Sequence, residues 1–164
     1  MGCTGHGRPY LARKKIDIEP AITNLKYTIR TFRYPDDYEA VYELWKTAGP
    51  GIHVRQSDER DELLKKLQRD PDLFLVAEIE MEIIGSVLGG FDGRRGMMYH
   101  LAVADQFRQH GIGAALMQAL EERLREKGCI RYYLLVTTEN ETAIRFYEAR
   151  DWQRLELYVY GKDL

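Results

Sequence analysis

A chain of 164 residues, 45% apolar and 30% charged, is one folded domain's worth of sequence, and this composition excludes a disordered or collagen-like chain. The formal net charge of −2 excludes a strongly basic nucleic-acid coat while leaving room for a local cationic site, and no apolar run approaches the roughly 20 residues of a membrane span. Two cysteines, Cys3 and Cys129, and four scattered histidines, His6, His53, His100 and His110, give neither a disulfide framework nor metal-ligand spacing. Free thiols in a reducing cytoplasm, no secretory signal and no metal are therefore expected.

Residues 1–26 read as an extended arm: Arg8, Arg13, Lys14 and Lys15 precede the first acid, Asp17, and glycines and prolines punctuate the segment. From Tyr27 the pattern sharpens. Tyr27–Phe32 alternates as a strand does. Asp36 precedes a helix with Tyr38, Val41, Trp45 and Ala48 on one face, ended by Gly49-Pro50-Gly51. Ser57 or Asp58 opens a second helix with Leu63, Leu64 and Leu67 inward, stopped by Asp70-Pro71-Asp72. Leu73–Glu78 and Glu82–Phe91 read as an antiparallel hairpin, Asp92–Gly96 as a loop and Met97–Ala104 as a further strand. A long helix follows over Gly111–Lys127, with Ile112, Leu116, Leu120 and Leu124 in register and Gly128 as its cap. Ile130–Thr138 reads as a strand, Asn140–Ala149 as a short helix, and Trp152–Gly161 as a last strand or broken pair. This order implies one α+β (mixed α/β) domain.

The richest stretch runs from His100 to Leu116, a strand feeding a glycine loop that opens a helix. The first N–H groups of a helix lack internal partners, and the dipole adds partial positive charge, so such a junction attracts anions. Gly111, Gly113 and Ala114 leave the backbone bare, and Arg108 adds a full charge. A turn that needs glycine only for its dihedrals fits the same residues. So does a dinucleotide-type loop, with Gly111 and Gly113 as its first two glycines and Glu139 ending the next strand, although Leu116 stands where the third glycine belongs. A P-loop is excluded, because GxxxxGK[ST] is absent.

Arg108-x-x-Gly111-x-Gly113-Ala114 resembles the pyrophosphate-binding signature of the GNAT superfamily of N-acetyltransferases. Asn140-x-x-Ala143-x-x-Phe146-Tyr147-Glu148-x-x-Asp151-Trp152 is similar to that family's second motif, with Asp151 where glycine is usual. Val87–Gly96 looks like the corresponding loop of the YpeA-like branch. The resemblance spans residues 27–164 and implies a GNAT-like fold: a mixed, mostly antiparallel sheet of six to seven strands with about four helices.

It also implies transfer of an acetyl group from acetyl-CoA to a primary amine of a small molecule, protein or peptide, by direct attack on the thioester. The donor would be held by the backbone of Leu101, Ala102 and Val103 in a bulged, splayed strand, by Arg108, Gln109, His110, Gly111, Ile112, Gly113 and Ala114 at the pyrophosphate, and by Asn140 and Tyr147. Tyr147 would protonate the departing thiolate. The glutamate that the family's ribosomal-protein N-terminal enzymes carry five residues before the Asn is here Leu135, so that variant of the mechanism is not expected.

An amine of pKa about 10.4 is almost wholly protonated at pH 7, so a proton acceptor is required. Asp92, His100, Glu139 and Glu141 are the candidates, and alternation puts Tyr99 and His100 on opposite faces of their strand. Trp45, His53, Arg55 and Gln56 lie where the resemblance places the acceptor pocket, and Arg94-Arg95 is a further candidate contact. A non-catalytic acyl-CoA-binding or sensing module on the same fold is the alternative. Neither a membrane nor a nucleic acid is an expected partner, and a homodimer is one arrangement open to the chain.

Overall fold

The computed structural model describes residues 25–49 and 51–163. Most of the expected arm, with Cys3 and His6, lies outside them; Leu25, near the arm's end, packs against the core. The elements run β1 (Thr28–Thr31), α1 (Tyr38–Thr47), a 3₁₀ turn (Gln56–Asp58), α2 (Arg60–Arg69), β2 (Phe74–Ile79), β3 (Glu82–Phe91) and β4 (Gly96–Val103). A second 3₁₀ turn (Asp105–Phe107), α3 (Ile112–Glu126), β5 (Tyr132–Leu134) and α4 (Glu141–Glu148) complete the chain. The strands form one sheet in the order β1-β2-β3-β4-β5, antiparallel except for the β4–β5 pair. A dinucleotide-binding fold needs successive parallel strands, so the sheet removes that reading.

The alternation of β2, β3 and β4 divides the core into two layers. Leu73, Leu75, Ala77, Ile84, Val87 and Met98 meet Ile112, Leu116, Met117, Leu120 and Leu124 of α3 on one face. Phe74, Val76, Leu88 and Ala102 meet Tyr38, Val41, Leu44 and Trp45 of α1 and Leu63 of α2 on the other. A methyl group at Gly89 would lie 2.4 Å from Leu120, so the glycine is what lets α3 settle onto the sheet.

Among the described residues the sheet has five strands, not the six to seven expected. Of Ile130–Thr138 only Tyr132–Leu134 is strand, and Trp152–Gly161 forms none. Leu157, Tyr158, Val159 and Tyr160 are 73%, 90%, 69% and 91% exposed. Alternating apolar residues become a strand only against a ladder, and three residues of β5 offer little edge to pair with.

Candidate active site

The centre of the site is an irregularity in β4. Leu88 pairs with His100, but Gly89 pairs with Met98, so Tyr99 is an extra residue opposed by nothing on β3. Such a bulge bends the strand and leaves the ladder locally unpaired. It also overturns the expectation that Tyr99 and His100 face opposite ways. Tyr99 lies over Gly90, and His100 packs at 4.7 Å from the Trp45 ring, so both project to the α1 face.

Beyond the bulge β4 parts from β5. Their pairing covers only Gly96, Met97 and Met98 against Tyr132, Tyr133 and Leu134. The Ala104 amide donates to the Ile84 carbonyl of β3 at 2.9 Å, and by alternation Ala102 also faces β3 while Leu101 and Val103 turn their backbone groups to the vacated edge. Leu101 and Val103 thus leave their backbone groups unpaired along this edge, whereas Ala102 directs its backbone into the ladder and its side chain into the core.

The loop after β4 opens α3 with unusual backbone angles. Gln109 and Gly111 have φ of 65° and 79°, and nothing lies within 4 Å of a methyl group built on Gly111. The first helical bond runs from Ala115 N–H to Gly111 C=O at 3.0 Å, and no backbone carbonyl among the described residues accepts from the amides of Gln109 through Ala114. This run of free donors at a helix N-terminus fits a phosphate. Gly113 plays a different part. A methyl group there would lie 3.6 Å from Phe146 and 3.7 Å from Val103, in ordinary van der Waals contact with α4 and β4. His110 bonds the Arg108 carbonyl through Nδ1 at 2.7 Å. The Arg108 side chain turns back from the loop: Nε donates to Val103 C=O at 3.1 Å, and Nη2 to Ala48 C=O at 2.7 Å and to Asp105 at 2.7 Å. It ties the end of α1 to the end of β4.

Asn140 caps α4 as expected, its Oδ1 accepting the Ala143 N–H at 3.1 Å. The other side of its amide abuts Gly51, where a methyl group would come 2.3 Å from Nδ2. The segment after α1 therefore touches both the Arg108 loop and the start of α4, across the mouth of the β4–β5 opening. On α4, Tyr147 stacks edge-on against Phe146 at 5.2 Å and Trp152 at 5.7 Å, and burial pushes its phenol up to about 12.

Three of the four candidate proton acceptors are surface groups. Asp92 accepts the amides of Arg95 and Arg94 at 2.6 and 2.7 Å, which hold its carboxyl below the usual range. Glu139 is exposed and held low by a bond from Thr138 Oγ1, and Glu141 pairs with Arg145 at 3.5 Å in solvent. Asp92 and Glu139, made weaker bases, do not suit proton abstraction near neutral pH. His100 differs: its side chain is 16% exposed and its Nε2 lies 2.9 Å from Oδ1 of Asp58. Asp58, 5% exposed, is the residue that sequence reasoning missed, having read it only as a helix opener. Burial raises its carboxyl, but bonds from His100 and the Arg55 amide outweigh this and hold it low. His53, Arg55 and Gln56 are exposed, Trp45 is buried with Nε1 bonded to Ser86 at 2.9 Å, and the Arg95 guanidinium lies over Tyr133 at 5.7 Å.

Comparison with known proteins agrees with this geometry. Residues 38–152 match the Acetyltransferase (GNAT) family. An acetyltransferase of Pectobacterium atrosepticum is 42% identical over 136 residues, covering 83% of this chain and 94% of that one. One of Sodalis glossinidius is 40% identical over 137 residues with the same coverage. Among solved structures, Ard1 from Thermoplasma volcanium superposes with a TM-score of 0.68 at 29% identity, over 77% of this chain and 82% of that one. The fold is shared with the PaiA N-acetyltransferase of Thermoplasma acidophilum in complex with coenzyme A, at a TM-score of 0.71 and 19% identity, over 82% and 94% of the chains. A bulged β4 parting from β5 beside an amide-rich helix start, within a sequence that matches over these lengths, makes this chain an acetyltransferase and a member of the GNAT family.

Proposed function

We propose that the protein is an acetyl-CoA-dependent N-acetyltransferase that passes the acetyl group directly to a primary amine, with its catalytic domain in residues 27–164. The observation that carries this reading is the parting of β4 from β5 after Met98 and Leu134, opposite the free amides of the α3 start. The pyrophosphate of the donor rests on the amides of Gln109, His110, Gly111, Ile112, Gly113 and Ala114. The pantetheine arm lies along Leu101 and Val103 as an added strand and reaches Asn140. An amide of that strand edge polarises the thioester carbonyl, a contribution of roughly 3–4 kcal/mol when the donor is well placed. Tyr147 returns a proton to sulfur.

For such binding the Arg108 guanidinium has to release the Val103 carbonyl it holds, and to meet the phosphates at the same mouth it also has to leave the Ala48 carbonyl and Asp105. The Val87–Gly96 sequence, the end of β3 and its turn into β4, supports assignment to the YpeA-like branch, and the coenzyme A named with the Thermoplasma acidophilum structure supports the choice of donor.

The test is calorimetric binding of coenzyme A and acetyl-CoA, followed by thiol release with a lysine peptide, a peptide with a free N-terminal amine, and a polyamine. Binding with thiol release from at least one amine is expected. Binding without release from any acceptor would favour the acyl-CoA-sensing alternative.

A further inference from the structure

We propose that His100 is the group that takes the proton from the attacking amine and that Asp58 positions it, a reading that rests on the transferase function above. The pair joins β4 to the segment between α1 and α2, across 42 residues of sequence. An ionised carboxylate only accepts hydrogen bonds, so the 2.9 Å contact to Asp58 Oδ1 places the imidazole proton on Nε2 and leaves the lone pair on Nδ1. Nδ1 has no partner among the described residues.

The orientation is fixed from several sides. Asp58 Oδ2 accepts the Arg55 amide at 2.9 Å, and the Asp58 carbonyl accepts the Tyr38 hydroxyl at 3.3 Å. The imidazole rests against Trp45, itself 1% exposed and bonded to Ser86. A buried carboxylate, a partly open imidazole and a rigid aromatic wall form the arrangement by which a histidine is held as a base.

The bulge puts this base at the reacting end. An acyl chain laid against the edge of β4, with its carbonyl bonded to a strand amide, has its carbonyl plane near the plane of the sheet. A nucleophile approaches across that plane, from one sheet face or the other. The α3 face is filled by Met98, Leu116 and Leu120 at this level, whereas the α1 face carries His100 and a Tyr99 that is 56% exposed. The amine therefore arrives on the His100 side.

The step balances simply. The neutral amine nitrogen forms the C–N bond, and its surplus proton passes to His100 Nδ1. The C–S bond breaks with its electron pair on sulfur, which takes the Tyr147 proton. Solvent exchange then restores both side chains, so one proton moves from nitrogen to sulfur.

The experiment measures thiol release from acetyl-CoA for wild type, His100→Gln, His100→Ala, Asp58→Asn and Asp58→Glu, using the amine set above, with melting curves on each. General base catalysis contributes about 100-fold or more, so kcat of both His100 variants should fall by at least about that factor, with KM for acetyl-CoA within about twofold of wild type. Free imidazole should restore activity to His100→Ala and leave His100→Gln unmoved. Asp58→Asn should lose about tenfold in kcat, and Asp58→Glu should recover part of it. A His100→Gln kcat within threefold of wild type would overturn the proposal, as would folded His100→Ala that does not respond to imidazole. If wild type itself releases no thiol with any amine, the transferase reading fails first and takes this one with it. Coenzyme A binding, measured separately, tells the two failures apart.

Discussion

Tyr147 occupies a difficult position for an acid. Its phenol, raised to about 12 by burial, is a weaker donor than a free tyrosine, yet the same burial keeps it protonated throughout the neutral range. As the proposed acid the group is therefore loaded on every turnover, and in that role its proton transfer has to accompany C–S cleavage. Tyr147→Phe should lower kcat about 10- to 100-fold and leave coenzyme A affinity nearly unchanged. The wild-type to variant ratio should stay flat from pH 6 to 9, because the phenol loses its proton only well above that window. A ratio that collapses towards one by pH 9 would remove Tyr147 from this role. At this scale the sequence was informative where a motif fixes a residue's neighbours, as it does for Asn140 and Tyr147. It was silent on Asp58, because nothing local marks a residue whose partner stands on a distant strand.

The helices α3 and α4 end in the same way, with different residues. After α3, Gly128 N–H bonds Arg125 C=O at 2.9 Å and Cys129 N–H bonds Leu124 C=O at 2.9 Å, with Gly128 at φ 81°. After α4, Asp151 N–H bonds Glu148 C=O at 3.3 Å and Trp152 N–H bonds Tyr147 C=O at 3.3 Å, with Asp151 at φ 61°. Both are Schellman caps, and the Trp152–Tyr147 ring contact is the apolar clasp that accompanies one. Only Gly adopts the left-handed conformation without penalty. Asp151→Gly should therefore stabilise the fold by about 0.5–1 kcal/mol, seen as a rise in Tm of roughly 1–4 °C. An unchanged or lower Tm would mean that the Asp151 side chain contributes something its geometry does not show. Elements with strong periodicity or punctuation, such as the β2–β3 hairpin and α3, were legible to within a residue or two. The end of the chain was not, since its alternation describes a strand whose partner edge is too short to receive it.

Across the whole molecule, β4 is the strand on which the two layers of the core meet, and its sequence cannot disclose its own break in phase. Met97 to Val103 reads as an unbroken strand, and an extra residue is visible only against the fixed partners on β3. The bulge therefore separates two properties that usually travel together. Removing Tyr99 would leave Met98 opposite Gly89 and His100 opposite Leu88, each still on its present face of the sheet. The shortened β4 could then run straight and continue its pairing with the chain that follows Leu134. A Tyr99 deletion should accordingly keep the circular dichroism and cooperative melting of a folded protein while losing coenzyme A binding by calorimetry. Retained binding would locate the opening elsewhere. In this reading one inserted residue converts a closed sheet into a receptacle, so the capacity to take up a donor is an indel away from an inert scaffold, and deletion libraries would find that boundary more readily than point substitutions.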